Sequence, residues 1–383
     1  METARIYLDH AATTPLDPDA LQAMLPFLHG GFGNPSSIYQ RGREARRALD
    51  EARDTVAAAI GARSPREIIF TSGGAEADNL ALKGAAWALR DRGRHIVTSA
   101  IEHHAVLRAA RFLEKHGFEV TYVPPDEEGI VQVDAVAGAL RDDTILISVM
   151  HANNELGTVQ PVREIAALAR EREILFHTDA VQTVGQIPVS VEEIGCDMLS
   201  LSAHKFYGPK GVGALYVRRG VHLEPLIHGG GQEQERRAGT ENVAGIVGMA
   251  RALENSCRTM QARAARVKEL RDRLEKGLLE RVPGARRNGH PHLRLPGHLN
   301  IAFEGVDGES LLLNLDMRGI EASTGSACAS GSIEPSHVLL AMGQSREEAL
   351  SAIRFSLGAS NTLDEVDRVL DVVPPLVERL RRR

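Results

Sequence analysis

No apolar run in the 383 residues approaches the length needed to cross a bilayer, and the N-terminus carries no signal-peptide pattern. These absences give the expectation of a soluble, cytoplasmic protein with no membrane partner. Cysteine is scarce: Cys196, Cys257 and Cys328 form an odd set without metal-type spacing. That argues against a disulfide framework or a cysteine-bound metal, and it fits a reducing compartment. Positive charge is not in excess. A net charge of −6 argues against a general nucleic-acid binder. Lysine is the rarest charged residue, with only Lys83, Lys115, Lys205, Lys210, Lys268 and Lys276 among 45 basic residues. Where this chain needs surface charge it uses arginine, so a lysine away from a charged helical pattern calls for a reason.

Two lysines lie away from such patterns, in the stretch Asp197–Gly213. An apolar run there ends in Ser202-Ala203-His204-Lys205 and then breaks on glycines and a proline. This predicts a buried strand that delivers Lys205 to its C-terminal edge. Open α/β sheets bind ligands at that edge. A lysine among apolar neighbours can lose its proton and form a Schiff base with an aldehyde such as pyridoxal phosphate. A strand-end salt bridge is the plainer alternative.

From Glu67 the chain alternates. Strands are predicted at 68–70, 95–98, 120–123, 145–149, 174–178 and 198–201. Helices follow at 74–90, from 102, at 132–140 and at 161–173. Such alternation means a mainly parallel sheet covered on both faces. After Cys257 a long Arg/Glu helix (258–281) reads as a connector, and a mixed α+β pattern follows it. The expected fold is α/β, with a large domain at 16–257 and a smaller α+β domain made of 1–15 and 258–383.

Several strand ends carry chemistry-bearing residues. Gly73-Gly74-Ala75-Glu76 puts free N–H groups at a helix start, a phosphate cradle or an ordinary βα turn. Asp179, with Gln182 three residues on, ends a buried strand. A pyridinium nitrogen would satisfy its charge, and so would a helix-capping role. His103 and His104 follow another strand, and an imidazole there could stack on a flat cofactor or relay protons. Asn153-Asn154-Glu155 ends a third. Ser202, His204 and the Gly239-Thr240-Glu241-Asn242 segment offer further donors. Cys328 sits among Ser, Gly, Ala and Thr only (Ser323–Ser332), a setting that suits a thiol made to react rather than to pack.

Taken together these stretches resemble the cysteine desulfurases, in their NifS/IscS-like branch of the class V aminotransferase superfamily (fold-type I). The resemblance is carried by Tyr7–Thr14, Gly33–Ser37, Glu102–Val106, Asn153–Gly157, His177–Gln182, Ser202–Lys205, Ala238–Asn242, Gly325–Cys328 and Ile353–Ser356. The shorter Arg-x-Gly-His-His-Cys loop of the other branch is absent. The resemblance implies a pyridoxal 5'-phosphate enzyme and assigns roles. Lys205 holds the cofactor covalently, Asp179 pairs with its ring nitrogen, Gln182 binds its ring oxygen and His103 stacks on it. Gly74, Ala75, Ser202, His204 and, across a homodimer, Thr240 bind its phosphate. Asn154, Arg354 and Asn34 bind the substrate. Cys328 takes sulfur from L-cysteine as a persulfide, leaving alanine. An iron–sulfur scaffold or another acceptor receives the sulfur, for cluster, thio-cofactor or tRNA synthesis. No resident metal is implied, although Cys328 could transiently ligate a scaffold's cluster. A selenocysteine lyase or another class V enzyme is the alternative. The chain departs from the pattern at Ala75, where threonine is usual, and at Gln234–Arg237, which lacks the usual Gly-Leu. It is also short after Arg354 for docking through a long tail.

Overall fold

A computed structural model describes residues 5–325 and 334–382. The chain begins with β1 (Ile6–Tyr7), α1 (Pro18–His29) and α2 (Gln40–Ala59). Then come β2 (Ile68–Thr71), α3 (Gly74–Leu89), β3 (His95–Ser99), α4 (His104–Glu114), β4 (Glu119–Val123) and α5 (Val133–Ala139). The alternation continues with β5 (Thr144–Ser148), α6 (Val162–Glu171), β6 (Leu175–Asp179), α7 (Val191–Ile194), β7 (Met198–Ser202) and β8 (Gly213–Val217). The remaining elements are α8 (Val243–Arg281), β9 (Ala285–Asn288), β10 (His298–Phe303), α9 (Gly308–Asp316), β11 (Ile320–Glu321), α10 (His337–Ala341), α11 (Arg346–Leu350), β12 (Ala352–Ser356) and α12 (Leu363–Arg381).

Seven strands form the main sheet in the order β2-β8-β7-β6-β5-β3-β4. Only β8 runs against its neighbours. The central strands β5 and β7 are buried along their whole length, and their apolar residues are interrupted only by serine and threonine. Because β2, β3, β5, β6 and β7 share one direction, their carboxyl ends open on one edge, and every candidate strand-end residue lies there. Apolar residues gather in three clusters. Two flank the main sheet, and a third joins β1, β10, β12, α9, α12 and the C-terminal half of α8.

The helix expected at 258–281 begins fifteen residues earlier, at Val243, and runs unbroken for 39 residues. Gly245 and Gly248 hide that start, since glycine is a poor helix former. Two facts overrule propensity. Asn242 caps the helix by accepting from the Gly245 N–H. At Gly248 a side chain would collide with Met24 of α1, so glycine lets the two helices approach. The α1 helix itself, started by Asp17 as cap and Pro18 in the first turn, was not expected, nor were α7, β8 and β9.

Separate from the main sheet are a three-stranded antiparallel sheet, β12-β10-β9, and a parallel pair, β1-β11. The segment after β1 links these strands to the main sheet. It bridges to β12 at Asp9 and Ser356 and then enters the main sheet's open edge.

Candidate active site

At that edge a cavity of about 210 Å³ is lined by Gly74, Ala75, Asp78, His103, Asn154, Asp179, Gln182, Ser202, His204 and Lys205, with apolar walls from Met150, Ala152 and Val181. Larger clefts of about 1020, 640 and 510 Å³ lie elsewhere and contain none of the expected site residues.

After β7 a single tight turn, Ala203–Lys205, places the Lys205 amine against the N-terminal segment. It donates to the carbonyls of Ala11 (2.5 Å) and Ala12 (2.9 Å). Burial lowers its pKa to about 8, and the Arg354 charge adds to the effect while Asp179 and Asp9 oppose it. Gln182 donates to the same Ala11 carbonyl at 3.0 Å.

Asp179 is the last residue of β6, and its carboxylate accepts from the Val181 N–H at 2.9 Å. Burial raises its pKa. Beneath it lies a carboxyl that sequence reasoning missed: Asp78, from α3, is 1% exposed and leaves one oxygen without a partner. Burial and the nearby Asp179 charge push its pKa well up. His177 occupies the same layer, held between the hydroxyls of Ser148 (2.9 Å) and Ser200 (3.0 Å), and burial keeps it neutral with a pKa near about 3. In the sequence Asp78 looks like any polar residue of a helix.

His103 caps α4, its Nδ1 accepting from the Ala105 N–H at 3.2 Å. That bond assigns the ring proton to Nε2. Burial lowers its pKa to about 4, and the charge of Lys205 adds to the effect. His204 is lowered to about 4 for the same two reasons, and its Nδ1 meets the Thr13 hydroxyl at 3.2 Å.

The phosphate-type turn needs its glycines. Gly73 has φ 153° and ψ −179°, a region that side chains disfavour. A Cβ at Gly74 would lie 2.7 Å from Val181. The first N–H groups of α3 therefore face the cavity beside Ser202 without obstruction.

Arg354, on β12, meets the cavity-lining residue Asn154. It donates to the Asn154 carbonyl (2.9 Å) and to Asp9 (2.7 Å), while its buried Nε has no partner. Next to Asn154, the buried Glu155 accepts from Ser336 at 2.5 Å, and a side chain at Gly325 would strike it. Glu155 thus sits against both Gly325 and Ser336. Asp9 and Glu155 were visible only as letters inside longer motifs, with no signal for these contacts. Thr240 and Asn34 are exposed and do not line the cavity of their own chain. Cys328 lies outside the described residues.

A strand-edge cavity with a depressed lysine, a buried carboxylate and an open helix start defines a cofactor-dependent α/β enzyme. The family model "Aminotransferase class-V" matches residues 6–369, and the chain belongs to that family. Its place within the family is with the cysteine desulfurases of the NifS/IscS-like branch. It is 56% identical over 376 residues to the cysteine desulfurase IscS of Dictyoglomus turgidum, covering 98% of this chain and 95% of that one. A solved NifS-like protein superposes with TM-score 0.92 at 42% identity, over 98% of this chain and 100% of the other. A second solved structure, SspA in complex with cysteine, gives TM-score 0.82 at 40% identity, over 93% and 99%. The fold is that of the fold-type I pyridoxal phosphate enzymes.

Enzymes of this family depend on pyridoxal 5'-phosphate, and the residues present fit it. The cavity offers an amine of reduced basicity for an aldehyde, a buried carboxylate short of donors for a ring N–H, and a helix start for a phosphate.

Proposed function

We propose that this cysteine desulfurase converts L-cysteine to L-alanine and stores the sulfur as a persulfide on Cys328 for transfer to an acceptor. The observation that carries the reading is the depressed Lys205 amine, set in one cavity with Asp179, His103 and the start of α3. Lys205 would hold the cofactor, Asp179 and Gln182 its ring, and Gly74, Ala75, Ser202 and His204 its phosphate. When bound, the cofactor supplies an electron sink for the carbon next to the substrate's amino group.

The chain's own residues do the rest. Arg354 and Asn154, joined by a hydrogen bond, would hold the incoming carboxylate. Lys205, less basic than an ordinary lysine, can take a proton near neutral pH and return it. His103 stays neutral there and holds its proton on Nε2. The Cys328 thiolate attacks the substrate sulfur. A sulfur–sulfur bond forms as the carbon–sulfur bond breaks, the bonding pair stays on carbon, and that carbon takes a proton to become alanine.

The active form proposed is a cytoplasmic homodimer. Leu28, Phe32, Ile38 and Tyr39 expose large apolar surface on one short segment, which also carries Asn34. Thr240, exposed on its own chain, would complete the partner's phosphate site. The acceptors proposed are an iron–sulfur scaffold or a thio-cofactor or tRNA pathway protein. The large domain would comprise 16–257, and the small one 1–15 and 258–383.

Replacing Cys328 by serine tests the assignment. The variant should keep the cofactor's absorbance and lose sulfide release from L-cysteine. Undiminished release would overturn the persulfide role. Borohydride treatment of the Lys205→Ala variant should trap no cofactor. Covalent label on another lysine would move the anchor.

A further inference from the structure

We propose that Arg237 is a positioning residue for the cofactor's phosphate. Its ion pair with Glu76 holds the first turn of α3 in shape and cancels the one carboxylate in that turn. The proposal rests on reading the cavity as a pyridoxal phosphate site.

Glu76 lies two residues after Gly74, outside the cavity lining. One carboxylate oxygen accepts from the Ser72 N–H at 2.8 Å, tying the turn to the helix it starts. Arg237 meets both oxygens with its fork, Nε at 2.8 Å and Nη2 at 3.2 Å, and both side chains are mostly covered. A carboxylate at a helix start stabilises the helix by itself. Here, however, the same N–H groups have a second anion to receive, and two negative charges on one turn oppose each other. A planar guanidinium removes the conflict and fixes the geometry at once. The charge balance weighs more in this chain because Ala75 brings no hydroxyl, so the turn offers backbone donors alone.

A second grip shows that the contact is built in. Glu233, four residues before Arg237, takes two bonds from Arg53 (2.7 and 2.6 Å) and accepts from the Phe70 N–H of β2 at 2.8 Å. The strap between the grips passes through three consecutive left-handed residues, Glu233, Gln234 and Glu235, with φ of 46°, 61° and 65°. Such a shape persists only where its surroundings over-determine it. One end holds the strand entering the phosphate turn, and the other holds the helix leaving it.

The test is a titration of the apoprotein with pyridoxal phosphate, followed by absorbance and by the fluorescence of the single tryptophan, Trp87. Arg237→Met should weaken binding about tenfold, because it leaves Glu76 charged and unpaired. Adding Glu76→Gln to that variant should restore affinity to within about twofold of the wild type, since the opposing charge is then gone. A structural role alone would give no such rescue. Unchanged affinity in Arg237→Met, or a loss that Glu76→Gln does not repair, overturns the proposal. Should the single variant fail to fold, the double variant decides alone: near-normal affinity supports the proposal and a tenfold loss overturns it. Wild-type protein that binds no pyridoxal phosphate would instead sink the reading of the cavity.

Discussion

Lys205 gives two hydrogen bonds to main-chain carbonyls and still releases its proton near pH 8, because burial outweighs those contacts. The unfolded chain keeps that proton up to the ordinary value of 10.5. Between the two values the unfolded state binds more protons than the native one, so the apoprotein gains stability as pH rises through that window. Lys205→Met should flatten the rise. Denaturant melts of apoprotein at pH 8 and pH 10 read it, and equal slopes with and without the lysine would refute the assignment. At this scale the sequence marked Lys205, Asp179 and His103 as candidates, since each lies at or shortly after the end of a strand and is a type that burial perturbs. It was silent about Asp78, Asp9 and Glu155. Their importance lies in which other residue they meet, and no local pattern encodes a partner that is distant in the chain.

Among the elements, the strap at 233–237 holds three consecutive non-glycine residues at positive φ. A left-handed backbone disfavours each non-glycine residue by roughly 1–2 kcal/mol. Glu235 is exposed and makes no described side-chain bond that would repay this, so Glu235→Gly should raise stability by about 1 kcal/mol, a shift of roughly 2 °C in thermal melts. A fall in melting temperature would mean that the carboxylate holds a contact of its own. Arg53→Met has the opposite sign. It strands the Glu233 charge in a site where that side chain is 2% exposed, and a loss of about 3–5 kcal/mol is expected in urea melts. The sheet was legible element by element because buried parallel strands are plain apolar runs between helical periods. The front of α8 was not. Gly248 there makes room for α1, and that contact is tertiary.

For the whole molecule, the apolar surface at Leu28, Phe32, Ile38 and Tyr39 leads to a prediction about assembly. Ile38 is 89% exposed in the single chain, so charging it should leave each subunit folded. Ile38→Glu is expected to convert a dimer to monomers in light scattering and to weaken cofactor binding, since Thr240 would no longer reach a second cavity. A variant that stays dimeric with full affinity would place the contact elsewhere. The sequence did not show how the outer contacts of the site are assembled from distant stretches of the chain. Asp9 and the carbonyls of Ala11 and Ala12 come from the beginning of the chain, and Arg354 comes from near its end.

The Asp9–Arg354 pair spans 345 positions, and it has a consequence for biosynthesis. A ribosome making this chain emits the lysine's carbonyl partners early and the guanidinium that pairs with Asp9 late. For most of translation the nascent lysine loop therefore lacks its finished surroundings. Arrested chains ending before residue 350 should emerge colourless in the presence of the vitamin B6 aldehyde, and colour should develop only after the last strand leaves the exit tunnel.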